Sequence, residues 1–202
     1  MSDIPSTAFP PIAAPGTARH VSYVLPSLGR FYQVVAEPAA WLGFRALVGG
    51  ALIYAGYPKI LSPFGMSAVV ESAGFTPGTF WSPFLAYLQF IGGIAIVIGF
   101  LTRPFALANA VMLAITLYFH MTHPYGASIL TDAGREFFRS DGAQYLTRPG
   151  ALRLAGGGGP FLRAVQDKAE YLSAIWTGAA FFFAAHGGGR WSVDRSILKR
   201  EV

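Results

Sequence analysis

The feature that most constrains the fold is an 82-residue stretch with almost no charge. Residues 41–122 are rich in apolar side chains, and their charged members are Arg45, Lys59, Glu71 and Arg103. Across the 202 residues of the chain, 53% are hydrophobic and 12% are charged, whereas a soluble domain usually carries about 25% charged residues. Polar side chains are too few to cover such a stretch in water, so the sequence predicts an all-α protein embedded in a lipid bilayer.

Four apolar runs are long enough to cross the hydrocarbon region, which takes about 20 helical residues. They occupy residues 41–61, 82–101, 104–122 and 169–189. The second and third runs are separated by Thr102 and Arg103 alone, which predicts an antiparallel hairpin. The expected fold class is therefore an all-α membrane protein built as a four-transmembrane-helix bundle.

Small residues recur at helical spacing in all four runs. The first two share a pattern of paired glycines, GGALIYAG at 49–56 and GGIAIVIG at 92–99. The third and fourth carry small residues four apart: Ala106, Ala110, Ala114, and then Ala174 and Gly178. Because helices in lipid associate through close packing of small residues, these faces are expected to form the helix contacts.

The regions flanking the apolar runs differ from them in composition. Residues 1–40 hold six of the 14 prolines and are predicted to form an extended N-terminal tail, in which a short interfacial helix ends at Pro38. Residues 41–202 form the transmembrane domain, with a long loop at 123–168 that carries a short amphipathic segment and then four glycines at 156–159. The loop and the tail are the expected surfaces for protein partners.

Charge gives a topology and a partner class. With four crossings, eight Lys and Arg residues fall on the side of both termini and seven on the side of the long loop. The positive-inside rule then places both termini in the cytoplasm. No run of basic residues alternates with exposed aromatics, so the net charge of +5 fits a membrane surface and does not indicate nucleic-acid binding.

The absence of cysteine narrows the chemistry. It excludes disulfides, thiolate nucleophiles and cysteine-bound iron–sulfur clusters. A haem held by two histidines is not expected, because His120 and His186 are predicted near opposite membrane faces. A metal site from His120, His123 and Glu71 has weak spacing, and none is expected. Redox chemistry would therefore need a bound cofactor or a partner.

The last apolar run ends in HGGGRWSVDR, residues 186–195. Glycines after a helix allow the left-handed turn that ends it, and Trp191 and Arg190 suit the headgroup level. Ser192 and Asp194 can bond exposed backbone groups. Arg45 has two interpretations beyond reaching the interface: it pairs with Asp194, or it caps the carbonyls that end the fourth run.

This ending resembles the DoxX family of small four-helix bacterial membrane proteins, which close with G-x-G-R-(W/Y)-S-(V/L)-D. The similarity extends to FRALVGGALIYAGYPKIL in the first run, to AGFTPG before the second and to QFIGGIAIVIGFLTRP through the hairpin. It covers roughly residues 41–122 and 169–195. The resemblance implies a multi-pass protein of the bacterial cytoplasmic membrane. Some members of the DoxX family resemble the membrane subunit of a quinone-linked oxidoreductase, and others are linked to membrane complexes that respond to oxidative or thiol stress.

The function implied by the resemblance is a membrane subunit of a quinone-linked redox or oxidative-stress complex. The candidate quinone headgroup site consists of Lys59, His120 and His123, because hydrogen-bond donors near the membrane interface suit quinone oxygens and histidine can relay protons. The alternative is that Lys59 only extends to the interface and that the chain is a non-catalytic anchoring subunit of a larger complex. A transporter is least favoured, since no apolar run is broken at mid-membrane.

Overall fold

The computed structural model describes residues 26–126 and 129–197, which are helical with short connections and contain no strand. The predicted all-α class is therefore confirmed. Residues 1–25 of the predicted tail lie outside the described residues. The α-helices are α1 (Pro26–Phe31), α2 (Glu37–Leu61), α3 (Ser67–Ser72), α4 (Gly78–Ile98), α5 (Thr102–Thr122), α6 (Asp132–Arg139), α7 (Arg148–His186) and α8 (Val193–Ser196).

Three helical stretches of the described residues are long and apolar enough to cross a membrane: Leu28–Leu61, Gly78–Ile98 and Thr102–Thr122. The predicted fourth span, 169–189, overlaps the last part of α7 but is not among them. The helix α7 also begins much earlier, at Arg148, and ends at His186. Within the predicted span, Glu170, Thr177 and His186 interrupt the apolar residues, which lowers the mean hydropathy.

The predicted helix stop at Pro38 does not occur. A π-helical turn, Tyr32–Ala36, joins α1 to α2, and the Glu37 N–H bonds the carbonyl of Tyr32. A proline inside a helix lacks an N–H and presses on the carbonyl four residues before it. The wider π turn directly before Pro38 relieves that conflict. The segment assigned to a separate interfacial helix is therefore the continuous beginning of the first long helix.

Glycine faces bring α2 and α4 together. A Cβ added to Gly49 would lie 2.6 Å from the carbonyl oxygen of Gly93, and one added to Gly93 would lie 2.8 Å from that of Gly49. One added to Gly56 would lie 3.0 Å from the backbone nitrogen of Phe90. The two glycine-rich stretches therefore pack directly on each other, as small-residue packing in lipid requires.

The other extensive contact joins α5 to α7. Ala106 and Ala110 of α5 are fully buried, as are Ala180 and Phe183 of α7. The prediction for α7 was wrong in its face: Ala174 and Gly178 are exposed, and a Cβ on Gly178 would meet nothing within 4 Å. The position of Phe183 decides the rotation of α7, because its large ring fills the core.

The region assigned to a long loop, 123–168, is largely helical. It contains α6, a 3₁₀ turn at Ala143–Tyr145 and the first part of α7. Non-helical backbone at residues 155–158 interrupts α7, where Gly156, Gly157 and Gly158 have φ of 63°, 79° and 84°. The N–H of Ile129 bonds the carbonyl of Gly157 at 2.7 Å, so the predicted glycine break is a defined corner in the helix.

Candidate functional site

The segment after α7 turns back against the end of the bundle. Gly187 and Gly189 have φ of 77° and 76°, values that only glycine adopts without strain. The hydroxyl of Ser192 donates to the carbonyl of Gly189 at 2.8 Å and accepts from the N–H of Arg195 at 3.3 Å. Ser192 thereby caps the short helix α8. The turn places residues 188–194 beside α2 and the connection between α4 and α5.

Arg45 is buried, with 2% of its surface exposed, and donates to three main-chain carbonyls. Its Nε bonds Val97 O at 3.0 Å, its Nη1 bonds Gly188 O at 2.6 Å and its Nη2 bonds Trp191 O at 2.8 Å. Of the two interpretations of Arg45, the structure shows the capping of carbonyls that follow the last long helix. The guanidinium also caps the end of α4, so one side chain joins three segments.

Asp194 is buried on the other side of the same turn, with 3% of its surface exposed. One carboxylate oxygen accepts from the N–H of Leu101 at 2.7 Å, and the other accepts from the N–H and hydroxyl of Thr102, both at 3.0 Å. The Asp194 N–H returns a bond to Gly99 O at 2.9 Å. A carboxylate at the start of α5 satisfies free N–H groups and complements the helix dipole.

We call Arg45, Asp194 and residues 187–192 the terminal clasp. Its buried charges bond main-chain groups, and their opposite charges attract each other, which satisfies them without a ligand. Two members of the clasp, Arg190 and Trp191, have exposed side chains, and Arg190 Nη1 donates to Gln33 O at 3.2 Å.

Lys59 points into the bundle. Its Nζ donates to the side-chain oxygen of Gln89 at 2.7 Å, and Gln89 is buried with 4% of its surface exposed. Gln89 is the twelfth residue of α4, about 16 Å from the start of that helix. The ammonium is therefore directed along the bundle toward the middle of α4, whereas a lysine that only extends to the interface would point the other way.

A second buried polar group lies between α4 and α5. Asn109 is fully buried, and its Nδ2 donates to Phe105 O at 2.9 Å and to Leu88 O at 3.4 Å. Its Oδ1 is buried and has no hydrogen-bond partner among the described residues. Gly92 provides the space, because a Cβ there would collide with the Asn109 amide. Gln89 and Asn109 thus both make polar contacts between helices.

The predicted histidines lie at the end of α5, where His120 contacts α7 and His123 contacts a residue of α5 itself. The main-chain oxygen of His120 accepts from Gln166 Nε2 at 2.6 Å, and the His123 ring stacks on Phe119 at 4.5 Å. Within the described ranges, no hydrogen bond or ring contact joins either histidine to Lys59. The structure therefore does not bring the three candidate quinone residues into one contact cluster.

Glu71 and His186 have separate environments. Glu71 accepts from the N–H of Gly78 at 2.8 Å, at the start of α4. His186 ends α7 about 30 Å from Gln166, the residue that contacts His120, since 20 helical residues separate them. Residues 26–126 and 129–197 contain no group of three histidine, aspartate or glutamate side chains arranged to hold a metal.

Sequence reasoning missed two of these partners. From the sequence, Thr102 was recognised only as part of the two-residue connection in a tight hairpin. In the structure it contacts Asp194, which lies 92 residues later in the chain. The role of Gln89 as the acceptor for Lys59 was also missed. Its signal is present in the sequence, because Gln89 is the one amide side chain in an otherwise apolar run.

The long apolar helices, the glycine-packed contact and the internally bonded polar groups define a helical integral membrane protein. A family model for DoxX matches residues 40–122. The chain is also 38% identical over 95 residues to the inner membrane protein YqjF of Escherichia coli (strain K12), an alignment that covers 46% of this chain and 72% of that protein. The chain belongs to the DoxX family. No solved structure matches it.

Proposed function

We propose that the chain is a multi-pass subunit of a quinone-linked redox or oxidative-stress complex in the bacterial inner membrane. Helices α2, α4, α5 and the part of α7 after its glycine corner would each cross the bilayer, with both termini in the cytoplasm. The family membership and the inner-membrane location given in the name of the relative support this assignment. Protein partners would bind residues 123–168 and the N-terminal tail.

The observation that carries the quinone proposal is the inward direction of Lys59. A lysine ammonium has three N–H donors, and among the described residues its hydrogen-bond partner is Gln89. Quinone oxygens are hydrogen-bond acceptors, and they gain negative charge on reduction. A positive donor in apolar surroundings would hold such an oxygen and stabilise its charge. Tyr57 and Phe90, whose ring centroids lie 6.4 Å apart, provide an aromatic surface on the same two helices.

Reduction of a quinone to a quinol takes two electrons and two protons. The chain has no cysteine, so in this proposal the electrons come from a partner protein. His120 and His123 lie at the C-terminal end of α5, at the same end of the bundle as the C-terminal end of α2. They would exchange protons with the aqueous phase. Lys59 and Gln89 would bind and orient the headgroup.

Quinone binding is tested by titrating the full chain, purified in mild detergent, with decylubiquinone. Lys59→Met removes the ammonium and retains side-chain length, and Lys168→Met, at an exposed position of α7, is the matched control. We expect Lys59→Met to weaken binding at least about tenfold, because a hydrogen bond to a charged group contributes about 1.5–3 kcal/mol. Lys168→Met should bind like the wild type. Equal binding by both variants, or none by the wild type, would refute the proposal.

An anchoring role without catalysis is the second candidate. The observation that favours it is that the buried charges of the terminal clasp bond the protein's own backbone. Deleting residues 131–160 removes α6 and the start of α7 and should release a partner while the long helices remain folded. Native mass spectrometry of the protein extracted from its own membrane distinguishes the candidates. Retained quinone supports the first, and retained subunits without a small molecule support the second.

A further inference from the structure

A cavity of about 170 Å³ lies between the beginning of α2 and the turn that follows α7. One water needs roughly 15 Å³ of such space, so the cavity holds a group of several heavy atoms. Its walls combine charged, aromatic and glycine residues, among them Glu37, Trp41, His186, Arg190 and Arg195. Lys59 and Gln89 do not line it, so this site is separate from the proposed quinone site.

The charges around the cavity have both signs. Arg190 and Arg195 are positive, and Glu37 is negative. Asp194 also lines the cavity, but both of its oxygens already accept hydrogen bonds from Leu101 and Thr102. Arg190, whose Nη1 also donates to Gln33 O at 3.2 Å, and Arg195 supply positive charge, and Glu37 supplies negative charge. A ligand that carries a phosphate and an ammonium group complements this combination, because arginine pairs well with phosphate oxygens.

An aromatic surface leads away from the cavity along the bundle. The Trp41 ring stacks on the Phe182 ring, with 5.0 Å between their centroids. The centroids of the Phe182 and Phe44 rings are 5.7 Å apart. Phe44 and Phe182 are both exposed, and they belong to helices whose ends border the cavity. Tryptophan is enriched at the headgroup level of membrane proteins. A ligand with a polar head in the cavity could therefore lay an apolar chain along these rings.

We propose that this cavity binds the headgroup of a membrane phospholipid. Arg190 and Arg195 hold the phosphate, Glu37 holds the ammonium of an ethanolamine headgroup, and the acyl chains run over Trp41, Phe182 and Phe44. Gly187, Gly188 and Gly189 contribute main-chain atoms to the wall of the cavity. A free phosphate ion would use the same arginines but would gain nothing from Glu37 or from the aromatic surface.

Lipid titration of the full chain in mild detergent tests the proposal. After delipidation, binding of phosphatidylethanolamine is followed by native mass spectrometry for the wild type, for Arg190→Gln/Arg195→Gln and for the matched control Arg153→Gln/Arg163→Gln. The control removes the same charge from exposed positions of α7 outside the cavity. We expect affinity to fall at least about tenfold in the cavity variant and to stay within about twofold in the control. Equal losses in the two variants would overturn the proposal.

Two further arms separate the sources of the phosphate and cover a cavity variant that fails to fold. Excess inorganic phosphate should leave lipid binding unchanged, and full displacement of the lipid would show a site for a free anion. Glu37→Gln changes one exposed side chain and should reduce the preference for phosphatidylethanolamine over phosphatidylglycerol. An unchanged preference would overturn the role of Glu37.

Discussion

Arg45 and Asp194 show how a chain with few charges keeps two of them buried. Removing one partner from a buried charged network leaves the other uncompensated, which costs about 3–5 kcal/mol. Here the network consists largely of main-chain groups, so its geometry depends on the glycines around it. A Cβ on Gly99 would lie 2.6 Å from Arg45 Nη1, and one on Gly188 would lie 2.7 Å from the Thr102 hydroxyl.

Asp194→Asn is predicted to destabilise the protein by about 3 kcal/mol. The asparagine oxygen can accept from Leu101 or from Thr102, but its NH₂ group then faces the other N–H donor. The substitution also removes the charge that attracts Arg45. Thermal unfolding in detergent, followed by circular dichroism, measures the loss. Asp167→Asn, at an exposed position of α7, is the control, and equal unfolding curves for both variants would contradict a stabilising clasp.

For individual residues, the sequence predicted which side chains are important better than it predicted their hydrogen-bond partners. The motif at 187–194 and the importance of Arg45 could be recognised, because buried charge in an apolar chain is costly. Long-range geometry decides which acceptor each donor finds, and two of the three acceptors of Arg45 lie more than 140 residues away. The inward turn of Lys59 could not be read from the sequence, since a lysine near a helix end also suits the interface.

The contact between α2 and α4, like the terminal clasp, depends on glycines at positions where a side chain would collide. Gly49 and Gly93 face each other, and the main chains approach where any side chain would collide. Their neighbour Gly50 points elsewhere, with nothing within 4 Å of an added Cβ. Two adjacent glycines of one helix therefore differ completely in their tolerance of a side chain.

Gly49→Val is predicted to destabilise the bundle by at least about 1–3 kcal/mol, the usual cost of overpacking a core. Gly50→Val should change stability much less, because both variants carry the same helix propensity and differ in contacts alone. Thermal unfolding of the two proteins in the same detergent provides the comparison. A Gly50→Val protein that is the less stable of the two would refute the assignment of this contact.

The positions of the long helices followed from the apolar runs, whereas their ends did not. The run at 82–101 corresponds to α4, which ends at Ile98 because Gly99 adopts φ of 75°. The helix α4 starts early, at Gly78, whose N–H bonds Glu71. The face of α7 was also unpredictable, because small residues line both its buried and its exposed sides. Contact with a large side chain, Phe183, selects one of them.

For the whole molecule, the central question is whether α7 crosses the membrane. Three other helical stretches have the length and composition to do so, and α7 packs along α5 while mixing polar and apolar residues. The sequence predicted four crossings from the apolar content of residues 169–189. The side of α7 that packs against α5 is shielded from lipid. A helix in a bundle can therefore cross the membrane with a lower mean hydropathy, because the average does not account for such packing.

Single-cysteine labelling is predicted to place α6 and α8 on opposite sides of the membrane. The chain has no cysteine, so Ser140→Cys and Ser196→Cys each introduce one thiol, both at exposed positions. In intact cells, a membrane-impermeant maleimide should label the first and should reach the second after permeabilisation. The unmodified chain is the control. Labelling of both thiols from one side would show that α7 does not cross.

The clasp also has a consequence for the order in which the molecule is built. Arg45 bonds Val97, but its acceptors at Gly188 and Trp191 lie 143 and 146 residues later in the chain. During translation, the guanidinium is therefore made long before two of its three acceptors leave the ribosome. Water, lipid headgroups or the insertion machinery must solvate it until then. The hydrogen bonds of Arg45 to Gly188 and Trp191 therefore form late in biogenesis, and a nascent chain that stalls before residue 188 lacks both of them.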